Sequence, residues 1–439
     1  MNKKHIGIIG GGLTGMTAAL ELLKDGHDIT IIEGGSQTGG LAAGFTFEGA
    51  SLEHAYHHAF KTDYDILDLI QELELKDQLN WFDSSMGVYY NGQLYPFRTP
   101  IDLLKFPPLR FWSKFRLGLT VLYLQHTKNW KRFEHVTAAE WMRKHCGKQA
   151  YEVIWKPLLH GKFHQYADQV SMAWLWARIH IRANSKEKGD SREKLGYMTG
   201  GFHTLIHALE ERLRKEGVQI HLNEKVRGVR TAEQGTVQVE TEQKTYTFDE
   251  VISTVSTHLF SQMLDSKDTT LANYKKQLAS VQYLGAALVI FSSEQSLSPY
   301  YWVNVNDSAS PFLAFIQHTN LAPTSWYNNR QVYYLATYVP HGHRFFTTDE
   351  AALKEEFFTY LKKIFPQFSP EQIHNTQVMR LRYAQHIVDT NYAEKMPAHV
   401  TPIPHVYLAN FSQIFPEDRG MSYAIREGRK QAQLLRERL

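Results

Sequence analysis

Cysteine is almost missing from this chain: Cys146 stands alone in 439 residues. A single thiol excludes an intramolecular disulfide and suits a reducing cytoplasm, and its expected role is that of a small buried packing residue. An excess of charge is missing too. The 48 Lys and Arg against 45 Asp and Glu leave a formal net charge of +3, which provides no global footprint for nucleic-acid binding. Nowhere do about 20 apolar residues follow one another, the length a bilayer-spanning helix needs. The apolar start after Met1–Lys4 is interrupted by Gly10, Gly11, Gly12 and Gly15 without a clean small-residue cleavage site, so it does not read as a signal peptide. C-x-x-C and H-E-x-x-H spacings are absent, and so is a Ser-His-Asp constellation, so no metal is expected. Internal repeats and low-complexity linkers are absent as well.

What remains is an ordinary globular composition, 43% hydrophobic and 21% charged, with length for two or three compact domains. The most informative stretch comes first: "HIGIIGGGLTGMTAALELLKDGHDITIIEGG". Ile6, Ile8 and Ile9 suit a parallel strand buried on both faces. Gly10, Gly12 and Gly15 then stand in G-x-G-x-x-G spacing, with Leu13 and Thr14 opening a helix. The first glycine permits the turn, the second lets a pyrophosphate approach the backbone, and the third lets helix and strand pack closely. Met16, Ala19, Leu20 and Leu23 share one helical face, and Gly26 is expected to close it. A second strand, Ile29 to Ile32, ends at Glu33, 18 residues after Gly15. A carboxylate there accepts from a ribose 2′-hydroxyl and repels a 2′-phosphate. The unit predicts a bound dinucleotide and leaves NAD and FAD both open.

Two further segments bear on that choice. Gly39, Gly40 and Leu41 follow the acid by a short loop. Near the far end, Val406 to Ala409 read as another buried strand followed by Asn410, and Gly420 and Met421 open a helix carrying Ile425, Gly428, Ala432 and Leu435 on one face. Unsatisfied N–H groups at such a helix start stabilise negative charge developing on a flavin.

These four elements in this order resemble the flavin-containing amine oxidase superfamily, in the branch of protoporphyrinogen oxidases and phytoene desaturases. "EHVTAAEWMRKHCGKQAYEVIWKPLLHGKFHQYADQVSMAWLW" resembles the substrate region of that branch, and "GYMTGGFHTLIHALEERLRKEGVQIHLNEKVRGV" its return to the cofactor domain. The resemblance implies FAD, bound noncovalently, with the residue at Val226 approaching the adenine. It also implies an α/β fold in which a Rossmann-like FAD-binding domain (residues 1–60, 195–265 and 385–439) is interleaved with an α+β substrate domain (61–194, mostly helical, and 266–384, sheet plus helix). Two residues depart from the family pattern: Leu41 stands where Arg is common, and Asn410 stands where an acid is usual. Asn410 can still hydrogen-bond a ribityl hydroxyl as a neutral group.

On the substrate side, "EHAYHHAFKTD" resembles the flavin-facing histidine segment of UDP-galactopyranose mutases. His57 and His58 are therefore the candidate catalytic residues, expected to titrate near neutral pH; the alternative is that they only bond nearby backbone. Arg419 is open to two readings, a charge stabiliser beside the flavin or a surface arginine paired with Glu417 or Asp418. From residue 103 to 133 there is no acid, while Lys105, Arg110, Lys114, Arg116, Lys128, Lys131 and Arg132 alternate with large apolar residues. Three readings stay open for it: peripheral contact with anionic lipid at the inner face of a membrane, a packed helical hairpin, or a basic mouth for an anionic substrate.

Three functions follow for a small-molecule substrate. The first is dehydrogenation of an apolar or amine-bearing compound by hydride transfer to FAD. The second is isomerisation of a nucleotide sugar without net redox change, and the third a flavoprotein-like binding subunit without turnover.

Overall fold

The computed structural model describes residues 3–184, 193–232, 235–265 and 269–439. Its first layer is a five-stranded parallel sheet in the order Val406–Leu408, Glu250–Ser253, His5–Ile9, Asp28–Ile32, Gln219–His221. The central strand reads as predicted, with Ile6, Ile8 and Ile9 all but inaccessible to solvent, because helices cover both faces of such a sheet. The α/β class and the Rossmann-like layer expected from the sequence are both present. The first helix runs Leu13–Leu23. Its end differs slightly from expectation: Lys24 is the cap residue, and Gly26, at φ +83°, lies two residues beyond.

The C-terminal helix, Met421–Arg436, lies against the first helix. Gly428 makes this possible, since a Cβ there would sit 2.5 Å from the carbonyl oxygen of Thr14 and 2.9 Å from Cβ of Thr17. Farther along, Arg436 Nε donates to Asp25 Oδ2 at 2.6 Å and its Nη2 to the carbonyl of Glu21. These contacts show the two helices running in the same direction. Met421 precedes Gly428 by seven residues, so the C-terminal helix starts roughly 10 Å before the level of Thr14 at 1.5 Å per residue.

A seven-stranded mixed sheet forms the second layer, built around Tyr283–Ser293 with Gln331–Pro340 and Ile373–His386 as antiparallel neighbours. The aromatic and aliphatic segments "QYLGAALVIF" and "RQVYYLATYV" supply the first two of these. Side chains alternate across the sheet as period two requires. Ala287, Val289 and Phe291 pack toward the helix Glu350–Ile364, while Ala286 and Leu288 face the opposite side and a cavity. A helical region over 100–184 closes that cavity. Cys146 is buried in its core as expected, its Sγ donating to the carbonyl of Met142, and burial pushes its thiol up to about 12. The segment boundary expected at 265/266 abuts residues 266–268, which lie outside the described residues.

Candidate active site

The glycine cradle is built from the first strand, the first helix and the loop at residues 39–41. At Gly15 a Cβ would sit 2.2 Å from the carbonyl oxygen of Gly10 and 3.1 Å from Ile8, so strand and helix meet only because it is glycine. Gly12 is different. A Cβ there meets only the Cα of Gly40, at 3.8 Å, so protein packing does not demand glycine at this position. Gly39 occupies the left-handed region at φ +102° and donates its N–H to the carbonyl of Gly11 at 2.8 Å, drawing the loop against the motif.

Glu33 reaches across the same turn. Its carboxylate accepts from the N–H groups of Gly11 and Gly35, each at 2.6 Å. Val226, buried at the start of its strand, follows Lys225, whose Cα lies 3.6 Å from a Cβ built on Gly34. Glu33 and Val226 are thus brought to one end of the cradle. Leu13 and Thr14 are buried in the first helical turn.

Leu41 lies at the other end and lines a cavity of about 370 Å³ together with His57, His58, Gly420 and Met421. Gly420 caps the C-terminal helix without a side-chain hydrogen bond, which leaves the N–H groups of the first turn directed at the cavity. Tyr56 and Trp302 form an aromatic wall, rings edge to face with centroids 4.8 Å apart.

The histidines differ from expectation. His57 donates from Nδ1 to the carbonyl of Ala55 at 2.6 Å, and His58 Nδ1 shares a 3.2 Å hydrogen bond with the hydroxyl of Tyr301. Burial, reinforced by Arg419, lowers His57 to about 4, and burial, reinforced by Arg182, lowers His58 to about 3. Both rings are therefore neutral at pH 7 and do not titrate near neutrality. A cation beside a desolvated imidazole opposes its protonation.

Asn410 also has a task other than the expected one. Its Oδ1 accepts from the N–H and the hydroxyl of Ser412, and its Nδ2 donates to the carbonyl of Val255. It is 2% exposed and belongs to a capped turn rather than to the cavity wall. The family's acid is replaced by a residue whose amide is engaged within the protein.

Arg419 resolves against the surface reading. Glu417 pairs with Arg426, and Asp418 bonds Lys162 Nζ at 2.6 Å and Arg178 Nη1 at 2.5 Å. Arg419 lines the cavity and donates from Nη2 to the hydroxyl of Tyr338 at 2.7 Å. Its Nε is buried with no hydrogen-bond partner among the described residues. Burial pushes the Asp418 carboxyl upward, and Lys162, Arg178 and Arg419 more than reverse this, leaving it well below the usual carboxylate range. Lys162, Arg178, Tyr338 and the buried role of Asp418 escaped the sequence reading. One signal was available: Arg178 and Arg182 stand i, i+4 on the mostly apolar Met172–Asn184 helix.

These residues fit a flavin dinucleotide on four observations. Gly12 presents open space where a phosphate needs to approach, and the Glu33 carboxylate stands at one end of the cradle. The uncapped helix start lies roughly 10 Å beyond the first helix. Arg419 carries an unsatisfied donor at that same end.

The sequence pattern of the family described as flavin containing amine oxidoreductase matches residues 13–436. Mitochondrial protoporphyrinogen oxidase of Nicotiana tabacum is 25% identical over 256 residues, 51% of this chain and 50% of that protein. The chain thus spans about half the length of this curated relative. Among solved structures, a provisionally named protoporphyrinogen oxidase from Exiguobacterium superposes with a TM-score of 0.78 at 20% identity over all of both chains. Reduced UDP-galactopyranose mutase superposes with a TM-score of 0.77 at 15% identity, over 100% of this chain and 96% of that one. At such identities the structures speak for the fold alone. The match over nearly the full length shows that the chain belongs to the flavin-containing amine oxidoreductase family, with FAD as its cofactor.

Proposed function

We propose that this protein is an FAD-dependent oxidoreductase that dehydrogenates an apolar or amine-bearing small molecule by hydride transfer to the flavin. One observation carries the reading: the start of the C-terminal helix, Leu41 and the His57–His58 segment wall a single cavity. In this reading Gly10, Gly12, Leu13, Thr14, Gly15, Glu33, Gly39, Gly40, Leu41, Val226, Gly420 and Met421 hold the cofactor, with Asn410 supporting the turn behind it.

FAD, when bound, supplies a two-electron acceptor. The chain's residues do the rest. Tyr56, Trp302 and Leu175 exclude water from the cavity and present an apolar surface to the substrate. The N–H groups after Gly420 and the Arg419 guanidinium stabilise negative charge developing at that end. His57 donates a hydrogen bond from Nδ1 to the carbonyl of Ala55, which leaves the lone pair on Nε2 to accept a hydrogen bond from the substrate. Residues 1–60, 195–265 and 385–439 form the cofactor domain, and 61–194 and 266–384 the substrate domain. The protein works in the cytoplasm, with residues 103–133 toward a membrane surface. The test is to purify the protein, record its visible spectrum, and screen apolar and amine substrates anaerobically. Bleaching of the flavin by a substrate supports the reading, and a yellow protein that no such compound bleaches rejects it.

A second reading, a nucleotide-sugar mutase, is favoured by the surplus of cationic groups in the cavity: Lys162, Arg178, Arg182 and Arg419 line it against the carboxyls of Asp63 and Asp418, and a diphosphate would balance them. It requires turnover with reduced flavin and no net consumption of an electron acceptor.

A further inference from the structure

Among the described residues, ten large apolar side chains are exposed, and eight of them lie between residues 101 and 123. Ile101 and Leu104 belong to the short helix Pro100–Lys105, and Phe111, Trp112, Phe115 and Leu119 to the helix Phe111–His126. Trp112 is 76% exposed and Phe111 65%. The longer helix is apolar on two opposite faces. Leu117, Thr120 and Leu124, at i, i+3 and i+7, are buried against the helical core. Phe111, Phe115, Leu119 and Leu122, at i, i+4, i+8 and i+11, face outward and are exposed. Scattered exposed apolar residues need no explanation, whereas a contiguous patch of this kind marks an interaction surface.

The patch is held in place. Lys114 Nζ donates to the carbonyl of Leu104 at 2.7 Å, pinning the short helix to the long one, and Arg116 donates from Nε to the carbonyl of His145 at 2.6 Å. Around it stand the exposed cations Lys105, Arg110, Lys128, Lys131 and Arg132, with no acid between residues 103 and 133.

From this juxtaposition we propose that the two helices form an in-plane docking surface for an anionic lipid bilayer, with the aromatic residues at the acyl boundary and the cations among the head groups. Charge selects this occupant. A second copy of the chain would bring one cationic rim against another, whereas anionic lipid neutralises it. Spanning is excluded for the surface, since no helix among the described residues is long and apolar enough to cross a membrane. Aromatic and aliphatic side chains on one face with basic residues around them are the pattern of a helix lying in the interface.

The surface also adjoins the cavity. Phe97, three residues before the short helix, lines the cavity and packs on Phe106, ring centroids 5.3 Å apart. The cavity wall is thus tied to the docking helices through one packed aromatic pair, which would bring the active site close to a bilayer that holds an apolar substrate. This delivery role rests on the apolar substrate proposed above; the docking does not.

The experiment is flotation of the FAD-loaded protein with vesicles of phosphatidylcholine alone and of phosphatidylcholine mixed with phosphatidylglycerol. Binding is expected only to the anionic vesicles, with a blue shift of tryptophan emission that Trp112→Phe removes, and with weakening at high salt. Trp112→Ser with Phe115→Ser, and separately Lys128→Gln with Lys131→Gln and Arg132→Gln, are each expected to lower the bound fraction at least about tenfold. The flavin spectrum serves as the control for folding. Equal or absent binding to the two vesicle types overturns the proposal. So does a stable dimer that Trp112→Ser with Phe115→Ser dissociates while vesicles leave it unbound. Neither failure bears on flavin bleaching, so the oxidoreductase reading is judged separately.

Discussion

Lys162 and Asp418 meet at 2.6 Å although 256 residues separate them, and their contact joins the helix Lys156–Phe163 to the segment that starts the C-terminal helix. Asp418 Oδ2 also takes Arg178, and its Oδ1 accepts from Gln385 at 3.0 Å, so the carboxylate is bonded on both oxygens. The wall of the cavity and the charge beside Gly420 are thereby set by one buried acid.

Asp418→Asn leaves Lys162 buried without its counter-ion. A loss of about 3–5 kcal/mol in unfolding free energy is expected in urea titration, as for other broken buried pairs. The sign with pH follows from the lowered carboxyl in the folded state. The folded protein binds this proton less readily than the unfolded chain, so the contribution is complete above the unfolded value of about 3.9 and fades as pH falls through the folded one. The wild type should thus lose stability in acid along a limb that Asp418→Asn lacks.

Glu53 shifts the opposite way. It is 1% exposed, and burial raises its carboxyl to about 7 despite hydrogen bonds from the N–H of Phe202 at 2.6 Å and the hydroxyl of Tyr197 at 2.8 Å. A raised folded value means a contribution complete below the unfolded value of about 4.3 and lost as pH climbs through the folded one. Thermal melts of the wild type should fall between about pH 4 and about pH 7, worth about 4 kcal/mol at most. Glu53→Gln should flatten that fall.

Gly12 and Gly15 should separate binding from folding. Gly15→Ala drives a methyl into the carbonyl of Gly10 and is expected to cost about 1–3 kcal/mol of stability by overpacking. Gly12→Ala meets only Gly40, so the cofactor-free protein should melt as the wild type does. Its FAD affinity, by equilibrium titration of flavin fluorescence, should drop about 100-fold through obstruction of the phosphate approach. Equal effects of the two substitutions on apo stability would contradict the assignment.

His57→Ala should lower kcat about 100-fold with the flavin spectrum retained, the scale of a lost hydrogen bond that positions the substrate. Because burial holds His57 and His58 at about 4 and 3, the wild-type kcat/KM profile should show no histidine step between about pH 5.5 and about pH 8. A step near the free-imidazole value that His57→Ala abolishes would show that the ring titrates in the working enzyme.

Much of the cofactor half was readable because its determinants are local. Gly10 to Gly15, the isoleucines before them and Glu33 lie within one short unit, and the period of the apolar residues in 13–23 and 421–436 states which face each helix buries. The histidines at 57 and 58 could be located but their ionisation could not, since it depends first on burial and then on Arg419 and Arg182, carried by distant segments. Asn410 looked like a ligand for the same reason. Its partners Val255 and Ser412 are chosen by how the turn folds back, not by the residue type.

By itself, then, the order of residues determined the parallel βαβ unit, the glycine cradle and the basic, apolar stretch at 103–133, because hydrophobic period and backbone sterics act over a few neighbouring positions. Only the tertiary structure decided that Lys162, Arg178 and Asp418 share one site, that Glu53 is buried, and which face of the Phe111–His126 helix stays bare. Desolvation and charge pairing are properties of the space around a group, and that space is assembled from segments hundreds of residues apart.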